Sequence, residues 1–156
     1  MELRIISPGK TRIRYLVEGI ADFQKRITPF ASCAIVYTKA ADAGVKKPDG
    51  LVIEEEGRSL LAKIERPSWV VALDRQGKQI DSEGFAALIT KWEGEAKRKI
   101  CFLIGGHLGL SSQVVQQADT VLSFSAMTFT HEMARLLLLE QLYRAFCIRK
   151  GTGYHK

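Results

Sequence analysis

Apolar residues in this chain fall into two arrangements, short unbroken runs and three- or four-residue repeats, and their alternation predicts the elements in order. Leu3 to Ile6 is a run ended by Ser7-Pro8-Gly9, which predicts a first strand. Leu16, Gly19, Ile20, Phe23 and Ile27 recur at helical spacing and predict a helix from about Arg12 to Ile27, stopped by Pro29. Cys33 to Tyr37 reads as a second strand, and the Lys, Asp, Gly and Pro residues of 39–50 as a mobile loop. A helix over about Leu51 to Ile64 has Gly57 against it, since glycine in a helix interior costs about 1 kcal/mol relative to alanine. Trp69 to Leu73 is a third strand closed by Asp74, and Arg75-Gln76-Gly77-Lys78 reads as a turn. Asp81-Ser82-Glu83 starts a helix with a capping side chain, and Phe85, Leu88, Ile89 and Trp92 set its buried face.

Ile100 to Ile104 is apolar throughout, as expected of a central parallel strand covered on both faces. Gly105-Gly106-His107-Leu108-Gly109 follows, then Ser111-Ser112 as caps of a short helix through Val114, Val115 and Ala118. Thr120 to Ser125 is a fifth strand, and a long helix spans about Thr130 to Lys150. Strands alternating with helices predict an α/β fold, a mainly parallel sheet with helices on both faces. The length, without internal repeats, predicts one domain over residues 1–156.

The last helix is unusual in its apolar coverage. At 100° per residue, Leu136 to Leu139 spread around most of its circumference, and Leu142, Tyr143, Phe146 and Ile148 add to them. One face can cover the sheet, and the other calls for a partner, most economically the same helix of a second chain across a two-fold axis. Glu140 and Arg144 are four apart and can pair along this helix.

Charge changes the picture at this end. The chain has 23 Lys and Arg against 17 Asp and Glu, a net +6, and from His131 onward there are five basic and two acidic residues. Such an excess suits a nucleic-acid partner. Cys33, Cys101 and Cys147 form no C-x-x-C pair, which argues against a disulfide framework or zinc site and for a reducing, cytoplasmic compartment. The opening MELRIISPGK has no signal-peptide pattern, and no apolar run is of membrane-spanning length, so a soluble protein is expected.

Candidate chemistry gathers at strand ends, where α/β sheets bind ligands: Leu73-Asp74, Gly105-Gly106, and Ser123 to Thr128. The glycines either admit a ligand to the backbone or make a tight turn. Neither G-x-G-x-x-G nor G-x-x-x-x-G-K-[ST] occurs, H-E-x-x-H fails because Arg135 stands at its second histidine, and no G-x-S-x-G surrounds the serines. A nucleotide hydrolase and a metal enzyme are disfavoured accordingly, and His107 and His131 read as structural or solvent-facing. The tail Tyr154-His155-Lys156 joins an aromatic, an imidazole and a cation, a mixture suited to RNA stacking and phosphate contact.

At IGGHLGLS, LSFSAMTFTHEMAR and EQLYRAFCIRKGTGYHK the sequence resembles the bacterial ribosomal RNA large subunit methyltransferase H family of the SPOUT class, and the likeness extends to LRIISPGK and VALDRQGK. Thr130 departs from it, standing where relatives often have proline. The resemblance implies a C-terminal trefoil knot and S-adenosylmethionine bound by Leu73, Gly105, Phe124, Ser125, Ala126, Met127, Thr128 and Phe129, without a metal. It further implies methylation of N3 of a pseudouridine in the intersubunit stem-loop of 23S rRNA in the ribosome. Arg144, Tyr154 and His155 are the candidate catalytic residues, and a homodimer, one protomer holding cofactor and the other contacting RNA, compensates for the lack of an appended RNA-binding domain. The competing expectations are a related knotted methyltransferase with another rRNA or tRNA target and a non-catalytic RNA-binding factor of the same fold.

Overall fold

The alternation of runs and repeats folds into three layers. The computed structural model describes residues 1–40 and 47–155, the last without its side chain. Five parallel strands, β1 (Glu2–Pro8), β2 (Ser32–Thr38), β3 (Trp69–Gln79), β4 (Lys99–Ile104) and β5 (Thr120–Ser123), form one sheet in the order β2-β1-β4-β3-β5. The helices are α1 (Arg14–Ile27), α2 (Asp49–Leu61), α3 (Ser82–Gly94), α4 (Ser112–Gln117) and α5 (His131–Lys150), and a short 3₁₀ turn, Gly153–His155, follows. The middle of the loop expected over 39–50, residues 41–46, lies outside the described residues.

The period of two along β4 sorts the core. Ile100, Phe102 and Ile104 face a large cluster with Ile20 and Ile27 of α1, Phe85, Ile89 and Trp92 of α3, and Leu138, Leu139, Leu142 and Phe146 of α5. Cys101 and Leu103 face the other way, with Ile6, Val70, Leu60 of α2 and Val114 of α4. Phe85 and Trp92 meet the ring of Phe102 edge-on, each with centroids 6.4 Å away, which places α3 over the centre of the sheet.

Helix ends follow the capping residues expected of them. The Asp81 carboxylate accepts from Gly84 N at 2.7 Å and Ser111 Oγ from Val114 N at 3.3 Å. Thr130, the residue that departs from the family pattern, accepts from Met133 N at 3.2 Å and so satisfies a first-turn donor that proline in its place would leave open. Gly151 closes α5 in the left-handed region, at φ 67°.

Two expectations are corrected. Residues 75–78 are not a plain turn: β3 runs on to Gln79, with a register shift between Leu73 and Lys78, because Lys78 and Gln79 pair again with Leu122 and Ser123. Gly77 permits this, as a Cβ there would lie 2.6 Å from the Leu122 backbone. The fifth strand stops at Ser123, two residues early. On α5, which α1 and α3 flank, Leu136 fills the space over Gly19, while Met133, Leu136, Leu137, Tyr143 and Ile148 remain half-buried. The exposed large apolar residues are Ile13, Tyr15, Val17, Leu51, Met127 and Phe129.

Gly57 is retained in α2 despite its poor propensity because α4 approaches there: a Cβ would meet Ser111 Oγ at 2.3 Å, and that hydroxyl is committed to capping α4. Gly57→Ala should therefore destabilise. A propensity gain of about 1 kcal/mol is set against overpacking of about 1–3 kcal/mol, and a lower midpoint in urea with an unchanged slope is the expected reading.

Candidate functional site

The carboxyl ends of β3, β4 and β5 open into a cleft of about 390 Å³, within the range of small-molecule sites. Leu73, Asp74 and Arg75 come from β3, Ile104 and Gly105 to Leu110 from β4 and its following loop, and Ser123 to Ser125 and Met127 to Phe129 from the stretch after β5. His131 and Ala134 of α5 close it, so the positive end of that helix's dipole faces the cavity. A second hollow, about 420 Å³, lies across Phe124 and Phe129 and reaches Ile80, Phe85, Leu137 and Gln141.

Local hydrogen bonds shape the loops. Ser123 Oγ donates to Ser125 O at 3.0 Å and Ser125 Oγ accepts from Met127 N at 3.0 Å, which folds the segment after β5 tightly back on itself. In the glycine run, Gly109 N donates to Gly106 O at 3.1 Å and Gly109 sits at φ 90°. A Cβ on Gly105 would stand 2.4 Å from the Gly109 carbonyl, and one on Gly106 would stand 2.4 Å from Glu56 Oε2. The space beside these two glycines is thus filled by the chain itself, which admits no side chain at either position, while both still line the cleft.

Of the residues assigned to cofactor, Leu73, Gly105, Phe124, Ser125, Met127, Thr128 and Phe129 line the cleft. Ala126 does not; it is an exposed residue of the same loop. Arg144 and Tyr154 are not brought to the cleft of their own chain. Arg144 lies ten residues along α5 from Ala134, about 15 Å at the helical rise, and Tyr154 packs beside it.

These two form a separate cluster at the carboxyl end of α5. Arg144 donates from Nε to Glu140 Oε1 at 3.0 Å and from Nη2 to the same oxygen at 2.5 Å, the pairing expected from their spacing. That hydrogen bond raises the Arg144 pKa above its usual value. Its guanidinium carbon is 4.9 Å from the Tyr154 ring centroid, and the Tyr154 ring meets Tyr143 edge-on at 4.7 Å. The tail is therefore docked through Tyr154. The His155 side chain and Lys156 lie outside the described residues.

Four functional candidates escape a reading by motif. His107 and His131 both line the cleft, although neither belongs to a recognised pattern. Burial, then the nearby Arg135 charge, lowers the His131 pKa below its ordinary value and keeps the imidazole neutral at pH 7. Arg135 is fully buried, and Glu132 accepts from Arg12 N at 2.9 Å and Ile13 N at 3.3 Å. Their only sequence signal is a charge at a helical position expected to face inward. Burial pushes the Cys101 thiol up to about 12, which makes it an inert core residue. Among the described residues, no three His, Cys, Asp or Glu side chains converge as a metal site requires, and no helix is long and apolar enough to cross a membrane.

Residues 1–155 match the family described as "Predicted SPOUT methyltransferase". The chain is 45% identical over 156 residues to ribosomal RNA large subunit methyltransferase H of Desulfotalea psychrophila, and 44% identical over 163 residues to the protein of that name from Carboxydothermus hydrogenoformans, with complete coverage of both partners in each case. Among solved structures it resembles a probable methylase family protein from Haemophilus influenzae, with TM-score 0.56 and 13% identity over 99% of this chain and 70% of that one. A probable methyltransferase from Bordetella pertussis also has TM-score 0.56, with 12% identity over 92% of this chain and 95% of that one. At such identities the structural likeness speaks for the fold.

The lowered pKa of His131 has a measurable consequence. Below the ordinary histidine value of 6.5 the unfolded chain takes up a proton that the folded chain resists, so stability falls as pH drops through that value. The melting temperature should fall between pH 7 and pH 5, and His131→Gln should flatten that dependence; an unchanged profile would contradict the assignment.

Proposed function

The chain belongs to the SPOUT methyltransferase family, and from that premise we propose that it methylates N3 of a pseudouridine in the intersubunit stem-loop of 23S rRNA, on the assembled ribosome in the cytoplasm, with S-adenosylmethionine as donor. The observation that carries this reading is the end-to-end match to proteins named for ribosomal RNA methylation, together with a cleft bounded by the matched strand ends.

The cleft suits the donor chemically. Leu73, Met127 and Phe129 offer apolar walls for an adenosyl group, the folded backbone of 123–128 offers polar groups to a base edge, and Asp74 and Arg75 offer opposite charges to an amino acid moiety. S-adenosylmethionine supplies an electrophilic methyl group when bound. The chain must position the pseudouridine so that N3 faces that methyl, and it must offset the negative charge that grows as the imide proton leaves. Arg144, fixed by Glu140 and always cationic, is suited to that charge or to an adjoining phosphate, and Tyr154 and His155 to orienting or deprotonating the base.

A homodimer reconciles the distance between cleft and tail. Exposed Ile13, Val17, Met127 and Phe129 provide apolar surface close to α5, and a two-fold contact there would bring one protomer's Arg144 and tail toward the other's cleft. The chain would also carry a trefoil knot in its C-terminal part, as the family resemblance implies.

Incubation with S-adenosylmethionine, followed by mass spectrometry of nucleosides, should yield 3-methylpseudouridine from 70S ribosomes in preference to free 23S rRNA; another product would overturn the target. Arg144→Ala should lower kcat on the order of a hundredfold while calorimetry finds donor binding intact. Mixing Arg144→Ala with Thr128→Trp, which obstructs the cleft, should restore activity through heterodimers holding one complete site. No recovery after subunit exchange would place both functions in one chain.

A further inference from the structure

The β1–α1 connection is held with unusual thoroughness for an exposed loop. Arg135 has no exposed surface and makes no carboxylate ion pair among the described residues. It spends its donors on this connection: Nε to Ser7 Oγ at 3.1 Å, Nη1 to Thr11 Oγ1 at 2.6 Å, and Nη2 to Pro8 O and Gly9 O, each at 2.7 Å. Glu132, one turn earlier, accepts from the backbone NH groups of Arg12 and Ile13, which precede α1. Helix capping explains neither residue, since no first-turn NH group of α1 is their partner. A desolvated guanidinium and a carboxylate are both committed to the residues before the helix.

Those bonds hold Lys10 and Arg12 outward. Residues 10–13 are neither helix nor turn, and Ile13 is extended at φ −73°, ψ 118°. Thr11 turns in to Arg135, so its neighbours Lys10 and Arg12 point the other way, and both are exposed. Their side chains have no ion-pair or hydrogen-bond partner among the described residues, and Glu132, the carboxylate that touches this segment, is turned onto backbone. Two residues span at most about 6.6–7.2 Å of chain, of the order of the step between neighbouring phosphates on one RNA strand. Arg14 follows, 93% exposed, with Glu18 against its Nε.

The strip is also close to the cleft. β1 lies directly beside β4, with Ile6 level with Leu103, so the chain leaves β1 after Pro8 at the same end of the sheet as Ile104 and Gly105. Arg135 adjoins Ala134, which lines the cleft.

Building on the functional reading above, we propose that Lys10 and Arg12 form a phosphate-binding strip for the RNA substrate beside the methyl-donor cleft, with Arg135 as the positioning residue that keeps it rigid. A fixed strip contacts phosphates without the ordering cost that a free loop would carry.

Co-sedimentation with 70S ribosomes over a KCl series tests this without requiring turnover. Lys10→Ala/Arg12→Ala should raise Kd on the order of tenfold and flatten the dependence of log Kd on log salt by about 1.4–1.8, with S-adenosylmethionine affinity unchanged by calorimetry. Lys63→Ala/Arg98→Ala, which removes the same charge at the opposite edge of the sheet, should leave the slope nearly as in the wild type. An unchanged slope in the first variant, an equal change in the second, or lost donor affinity would overturn the proposal. A wild type that binds ribosomes but forms no 3-methylpseudouridine refutes the functional reading and not the strip. One that forms the nucleoside while Lys10→Ala/Arg12→Ala binds normally refutes the strip alone.

Discussion

A guanidinium removed from water, Arg135, joins the two ends of this chain. Hydrogen bonds to a charged donor are each worth about 1.5–3 kcal/mol, and four of them hold the carboxyl end of the first strand against the first turn of the last helix. Without them the charge would face an uncompensated desolvation cost. The lowering of its pKa by burial, against the opposing influence of Tyr37 and then Glu132, reflects the same balance. Together with the Glu132 bonds to Arg12 N and Ile13 N, this contact fixes the loop carrying Lys10 and Arg12 against α5.

Around it, the carboxyl edge of the sheet is built by close backbone approach. Gly105 lies against the main chain of Gly109 and Leu110, and Gly77 against that of Leu122. Each contact excludes a Cβ, so at Gly105 the cleft wall is set by main chain. Exposed apolar side chains stand at the mouth, where Met127 is 74% and Phe129 41% exposed.

The tail adds a third device. Tyr154 sits between Tyr143 and Arg144, and the ring of Tyr143 lies 6.1 Å from Phe23 and 6.2 Å from Phe30. This aromatic series holds the last residues to α5 and α1, so the tail keeps a defined direction away from its own cleft. The docking comes from aromatic contacts rather than from regular secondary structure.

The order of elements, the buried faces of α1, α3 and β4, the Asp81 and Ser111 caps and the Glu140–Arg144 pair were legible in the sequence. Each depends on residues near one another along the chain, where periodicity and capping chemistry act. The strand ends that could hold a ligand were legible for the same reason, and the family motifs supplied the chemistry expected there. The continuation of β3 through residues 75–79, the self-filling of Gly105 and Gly106, the exposure of Ala126 and the placement of both cleft histidines belong to tertiary structure. So does the bond between Arg135 and a loop more than 120 residues earlier. Sequence determined which segments could bury a face or cap an end. Only the fold could decide which backbones approach too closely to admit a Cβ between them, because that depends on steric fit between parts of the chain that share no local signal.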